Sequence, residues 1–260
     1  MKKICVRVLI LCSAMMMGCA GGKAPVQENT PQEDIRQEDN GQDELPTGTK
    51  NQEEKETTVS EPRIVNLLDV SGVHSDGFNQ ESYRYQIPQF NAESESAKAV
   101  NKRMEEELKA VIDTEMENIA GGYSLFTNSV TYEVYEYGEI TAVVVSVPYP
   151  NDCMEYYAYT YDFQKDKELT NAELLALKEW SEDDFTAEVC RLQEEDFTKL
   201  TEGLSESVMS REMIKECIVN VNSYATTELP MYLDENGKLQ VYIPFASIAG
   251  ADWYYRLCGF

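Results

Sequence analysis

The chain is short of histidine and of positive charge. Among 260 residues there is one histidine, His74, and 22 Lys and Arg stand against 47 Asp and Glu, a formal net charge of −25. A single His cannot supply the two or three imidazoles of an ordinary zinc hydrolase. Ser-His and Cys-His nucleophile systems need a placed His as base, and His74 lies in SGVHSDGFN, a stretch that reads as a loop. Nucleic-acid binders need Lys and Arg to displace counterions, and a polybasic grip on anionic lipid needs the same residues. Neither is expected here. Any partner guided by charge is basic, although surface acid by itself also keeps a protein soluble. The spacings predict no metal site, no cofactor and no catalytic residue.

No hydrophobic run is long enough to span a bilayer. The apolar run Val8–Met17 follows Lys2, Lys3 and Arg7 and ends in Gly18-Cys19. That is a secretory leader, and its end resembles the bacterial lipobox, with Met16 and Met17 where Leu and a small residue are usual. The resemblance implies acylation of Cys19 by a diacylglyceryl group and a lipid anchor at the outer face of the cell membrane, because stable anchoring takes more than one acyl chain. Loss of residues 1–18 as signal peptide removes three positive charges and no acid, taking the formal charge from −25 to −28.

Aromatic residues are missing from residues 20–62, and all sixteen tyrosines follow residue 82. Gln, Glu, Asp, Asn, Thr, Pro and Gly dominate that stretch, which cannot bury enough apolar surface to fold. Residues 19–62 are therefore expected to be a disordered acidic tether, spanning roughly 35–40 Å as a coil and about 140–150 Å when stretched.

What remains, residues 63–260, carries the periodicities of an α+β domain. Strands are expected at 63–70, 82–90, 130–137, 140–147 and 156–163, with the last three forming an antiparallel meander. In YYAYTYDF the residues Tyr157, Tyr159, Tyr161 and Phe163 share one bulky face, which places that face on a core. Tyr156, Ala158, Thr160 and Asp162 share the other, the side on which a ligand is sought together with the loops 148–152 and 164–168. A helix is expected over 94–119 with Ala97, Val100, Met104, Leu108, Val111 and Ile119 inward. Thr170-x-x-Glu173 is a capping box, and Ser181 caps a further helix with Phe185, Val189, Leu192 and Leu200 inside. Another helix is expected from Ser210 to Val221. Asp234-Glu235-Asn236-Gly237 reads as a hairpin turn, not a calcium loop, and DWYYRL from Asp252 reads as a final strand. The expected architecture is one domain, an antiparallel sheet packed with helices.

Several stretches in this order carry a resemblance: YRYQIPQFN, the helix with Asn101-Lys102, VTYEVYEYGEITAVVVSVPYP, YYAYTYDFQKDKELTNAELL and ELPMYLDENGKLQVYIPFASIAG. Together they resemble an extracytoplasmic domain-of-unknown-function family of Gram-positive bacteria. The chain is similar there, over residues 83–257, to the lysozyme-sensing domain of a bacilli anti-sigma factor and to the non-catalytic N-terminal module of a peptidoglycan N-acetylmuramic acid deacetylase. The resemblance implies an envelope-binding or sensing domain whose ligand is peptidoglycan or a basic wall-active protein such as lysozyme. The sensor's membrane helix and the deacetylase's catalytic domain have no counterpart in this sequence.

Candidate ligand-surface residues are Tyr135, Tyr137, Tyr149, Asp152 and Tyr254, aromatic or acidic side chains that border turns or mixed faces. Rings of this kind stack on sugar faces and also serve as half-exposed strand residues. Cys153, Cys190, Cys217 and Cys258 are candidate disulfide cysteines with three connectivities open; Cys on a helix also packs as a small apolar residue. Acidic runs such as Glu105-Glu106-Glu107, Asp183-Asp184 and Glu194-Glu195 fall on solvated helix faces. The alternatives to a binding domain are a carboxylate-dependent enzyme acting on wall glycan and a structural partner in an envelope complex.

Overall fold

A computed structural model describes residues 61–150, 153–203, 228–246 and 253–260. The leader, Cys19, the tether, Asp152 and the helix expected at 210–221 lie outside the described residues.

Among the described residues, nine strands and three helices follow one another as β1 (Ile64–Ser75), β2 (Gln80–Phe90), α1 (Glu95–Gly121), β3 (Ser129–Tyr137), β4 (Ile140–Tyr149), β5 (Cys153–Asp162), β6 (Lys167–Glu168), α2 (Asn171–Leu177), α3 (Glu182–Thr201), β7 (Met231–Leu233), β8 (Leu239–Ala246) and β9 (Trp253–Gly259). The fold is α+β. Strands β1 to β6 form one sheet in sequence order, and β7 to β9 form a second, three-stranded sheet. Every pairing is antiparallel except β2 with β3, which meet in parallel at Arg84–Ser129 and Tyr85–Val130. The exception follows from α1, which carries the chain back across the sheet between those two strands, as a crossover requires.

Strand β1 extends well beyond its expected end. His74 is a buried strand residue, not a loop residue, and its Nε2 lies 2.7 Å from the Tyr123 carbonyl. Glycine and serine in SGVHS suggested a loop, yet the true turn falls at Asp76–Asn79. Leu67 is the extra residue of a bulge, because Asn66 pairs with Pro88 and Leu68 with Ile87. Pro88 has no N–H to give the ladder there, which is the usual setting for a bulge.

Helix α1 starts where Ser94 Oγ accepts the Ala97 N–H at 3.1 Å and stops at Gly122, which takes a left-handed φ of 70°. Its buried line is Ala97, Val100, Met104, Leu108, Ile112 and Glu115. Ile112 joins the inward line, since a 3.6-residue period continues from Leu108 to Ile112, and Val111 and Ile119 pack against the same core partly buried. The Asn101 amide fastens the helix to β2 by accepting the Phe90 N–H at 2.8 Å and donating to the Phe90 carbonyl at 2.9 Å. Under α1 lie Tyr85, Ile87, Phe90, Val143, Val145, Val147, Tyr159 and Tyr161, all buried, with Tyr157 and Phe163 partly so. The aromatic face of β5 is thus a core face, as its alternation indicates.

The opposite face of β5 is also covered, which corrects the expectation of a ligand there. Tyr156 stacks on Tyr242 of β8 with ring centroids 3.7 Å apart, and Thr160 and Asp162 are buried. The second sheet closes this side and shares a core with α2 and α3 built from Leu174, Leu175, Phe185, Val189, Leu233 and Val241. The capping box at Thr170 and Glu173 is complete. On α3 the inner line continues through Gln193 and Phe197, so Leu200 is only half-buried. Asp234 turns β7 into β8 by accepting N–H groups from Asn236 at 3.0 Å and Lys238 at 2.9 Å. Its carboxylate is therefore committed to the turn.

Candidate functional site

The four expected surface residues that the structure describes do not converge. Tyr135 and Tyr137 lie on the β3 face that meets the second sheet. The Tyr135 hydroxyl donates to Glu133, and its ring lies 4.5 Å from that of Tyr232. Burial raises its pKa above the usual tyrosine value, and the Glu133 hydrogen bond adds to the rise. Tyr137 rests on the β7–β8 turn at Gly237, where an added Cβ would stand 2.5 Å from the ring. Tyr254 lies elsewhere again, donating to Asp196 Oδ2 at 2.9 Å beside Arg256, whose guanidinium sits 3.8 Å from the Phe245 ring centroid. These three side chains hold elements together. Asp152 lies outside the described residues. Cys153, Cys190 and Cys258 are free thiols, and Cys217 lies outside the described residues.

Tyr149 belongs to a different group. It lines a depression of about 220 Å³ with Glu81, Leu125, Phe126, Thr127, Asn128, Pro148 and Pro150. Beside this depression the β1–β2 turn and the α1–β3 loop lie side by side. Ser124 Oγ donates to Asp76 Oδ2 at 2.7 Å, and His74 meets the Tyr123 carbonyl. Phe78, Tyr123 and Phe126 project from these two loops with exposures of 96%, 67% and 62%. Three large rings are displayed this openly on two adjoining loops, and Phe126 shares the depression with Tyr149; exposed apolar surface of this kind marks binding sites where it is contiguous.

The loops that display the rings are fixed. Asp76 Oδ1 accepts the N–H groups of Phe78 at 2.9 Å and Asn79 at 2.7 Å, which shapes the turn on either side of the Phe78 ring. The Asn79 N–H, the Ser124 hydroxyl and the Phe78 N–H hold the Asp76 carboxyl down at about 2, against an ordinary 3.8. Tyr123 lies over Gly121, where a Cβ would come within 2.4 Å of the ring. Glu115, buried in α1, accepts the backbone N–H groups of Phe126 at 3.1 Å and Thr127 at 3.2 Å. Thr127 in turn accepts the Tyr85 hydroxyl at its carbonyl, 2.9 Å away. A buried carboxylate that receives several N–H groups is a structural anchor whose removal leaves those donors unpaired.

Phe78, Tyr123 and Phe126 were not singled out from the sequence. The signals were present: Phe78 follows the turn dipeptide Asp76-Gly77, and Tyr123 and Phe126 follow the helix stop Gly121-Gly122. An aromatic placed directly after such punctuation has no periodic face to join.

Among the described residues, no three of His, Cys, Asp and Glu are grouped to hold a metal ion, and no helix is long and apolar enough to cross a membrane. The two buried carboxylates have structural partners: Glu115 as above, and Asp162, whose Oδ1 accepts N–H from Gln164 at 3.0 Å and Lys165 at 2.9 Å. Burial opposes ionisation of Asp162, and these bonds with the Lys165 ammonium outweigh it, so its pKa is lowered.

No protein-family model matches this chain, and no curated protein matches it. Among solved structures, the crystal structure of a DUF3298 family protein from Pseudomonas aeruginosa PAO1 is similar at 12% identity and a TM-score of 0.33, covering 53% of this chain and 72% of that one.

Proposed function

We propose that this chain is a surface lipoprotein, held at the outer face of the cell membrane through Cys19, whose folded domain is non-catalytic and binds wall glycan. The observation that carries the reading is the set of exposed rings Phe78, Tyr123 and Phe126 on pinned loops beside Tyr149. Flat rings on fixed backbone offer sugar faces contact area without the cost of ordering a loop, and they need no positive charge, which suits a chain of net charge −25. The lipobox resemblance and the acidic tether support the placement of the domain outside the membrane.

The test is retention of the full-length chain on purified peptidoglycan sacculi. Phe78→Ala combined with Phe126→Ala is expected to lower retention at least ten-fold, with an unchanged circular dichroism spectrum. Retention that survives the double substitution removes the glycan reading of this patch. The acidic surface favours a second reading, a basic wall-active protein such as lysozyme as the ligand. Binding to lysozyme that falls steeply with added salt, with no retention on sacculi, replaces the first reading by the second. Anchoring is tested separately by acyl labelling, which Cys19→Ser must abolish.

A further inference from the structure

Strand β1 forms the outer edge of the six-stranded sheet, and no strand pairs with its far side among the described residues. It is 12 residues long. An edge of this length presents a row of unpaired N–H and C=O groups that templates a further strand unless something covers it.

A groove of about 260 Å³ runs between β1, β2 and α1. Its floor is Ile87 and Ile112, 3% and 2% exposed, and Leu67 and Met116 stand over it at 45% and 39%. The bulge opposite Pro88 builds this wall. Adjacent strand residues normally point to opposite faces, yet Leu67 and Leu68 both line the groove. Helix α1 follows β1 in the same direction: Glu105 shares a depression with Val65, and beyond the helix end Tyr123 meets His74. The helix contributes Glu105, Lys109 and Asp113 to the groove at a spacing of one turn. Lys109 stands between two carboxylates, so this rim has a net charge of −1.

We propose that β1 and the groove accept an extended segment of a partner protein, added as a strand to the β1 edge, with an apolar side chain in the groove and basic side chains on either side of it. The chemistry follows from three features: the edge supplies main-chain hydrogen bonds, the groove supplies one apolar seat, and the acidic rim selects cations. The geometry also sets a spacing. Glu105 and Asp113 are eight helical residues apart, about 12 Å of rise, which corresponds to roughly four residues of strand. The recognised pattern is therefore basic-x-apolar-x-basic on the side facing α1. This is strand addition beside a helix, in which backbone bonding gives affinity and alternate pockets give selectivity. It is independent of the aromatic end and stands or falls separately from glycan binding.

The test uses the full-length chain carrying Cys19→Ser in detergent-free buffer and the synthetic peptide acetyl-Thr-Lys-Thr-Ile-Thr-Lys-Thr-amide. Titration followed by amide NMR is expected to show saturable binding, with shifts concentrated in residues 64–75 and 105–116. The counterpart with Glu in place of both Lys is expected to bind at least ten-fold more weakly. Of two N-methylated forms covering alternate residues, one is expected to lose binding and the other to keep it, because only one set of amides faces the edge. Leu67→Asp, at a half-exposed position, is expected to weaken binding at least ten-fold without lowering the melting temperature. The proposal is overturned if the Lys peptide does not bind at millimolar concentration, if the Glu peptide binds equally, if Leu67→Asp has no effect, or if the shifts lie elsewhere. Concentration-dependent dimerisation through β1 without peptide binding also overturns it, since the edge then serves a second copy of this chain.

Discussion

The two faces of β4 and β5 are both buried, and they are buried differently. On the α1 side the contacts are Val143, Val145, Val147, Met104, Leu108 and the rings of Tyr159 and Tyr161, and the tyrosine hydroxyls reach the boundary, where Tyr159 donates to Glu107 and Tyr161 to Asp166. On the other side Ala142, Val144 and Ala158 are joined by Thr160, Asp162 and the tyrosines 135, 156, 232 and 242. A face that carries hydroxyls and a carboxylate still closes when a second sheet brings rings to stack on it and the β5–β6 turn supplies N–H groups to satisfy the acid. Polarity along a strand reports what must be satisfied on that face, and solvent is only one way to satisfy it.

The sharpest test of this contrast is on the α1 side. Met104 is fully buried between helix and sheet, so Met104→Ala is expected to cost about 2–5 kcal/mol through lost transfer energy and the cavity it leaves. Chemical denaturation measures this, and a loss below about 1 kcal/mol would mean that the helix face is loosely packed. On the tyrosine side the expected cost is smaller. Tyr242→Leu gives up the 3.7 Å stack on Tyr156 and is expected to destabilise by about 1 kcal/mol, read in the same way. If it costs as much as Met104→Ala, the two faces do not differ in the manner described.

Thr160 should move in the opposite direction. Its Oγ1 is buried without a hydrogen-bond partner, and an unsatisfied buried hydroxyl is unfavourable. Thr160→Val keeps the shape and is expected to raise stability by up to about 1 kcal/mol. A clear loss would reveal a partner for that hydroxyl.

The smallest effect is local and lies at the exposed end. The Asp76 carboxyl is held at about 2, below its ordinary 3.8. Because the folded value is the lower one, its contribution to the turn is complete above the unfolded value and is lost as the pH falls through the folded one. The protection of the Phe78 and Asn79 amides, taken relative to the intrinsic exchange rate at each pH, is therefore expected to fall between about pH 4 and pH 2, while amides in β4 stay protected. Simultaneous loss of both would show that the turn and the sheet open together.

The sequence made the elements legible wherever one face was plainly apolar. The α1 period, the β3–β5 meander, the Thr170–Glu173 capping box and the Asn236-Gly237 turn all stand as read, to within three residues. The partition into two sheets was not legible, because alternation identifies a strand and says nothing of which strand will cover it. That is why the contacts of Tyr135 with Tyr232, of Tyr137 with the Gly237 turn and of Tyr254 with Asp196 could not be read from the sequence. The aromatic end was missed for the opposite reason. Phe78, Tyr123 and Phe126 sit between periodic segments, where pattern reading assigns no face, and it is the contacts of His74, Asp76, Ser124 and Glu115 that hold their loops in place.

One property of β1 bears on how the molecule would carry load. The strand begins at Ile64, three residues after Glu61, and its other end enters the Asp76–Asn79 turn beneath Phe78. Those ends are about 40 Å apart at the usual strand rise. Tension applied at residue 61 and resisted at Phe78 would travel along the covalent backbone of one strand. It would neither shear the β1–β2 ladder nor peel it open, and the two cores would stay outside the force path. A domain pulled between these two points behaves as a tie, and its own unfolding would not be the first thing to yield.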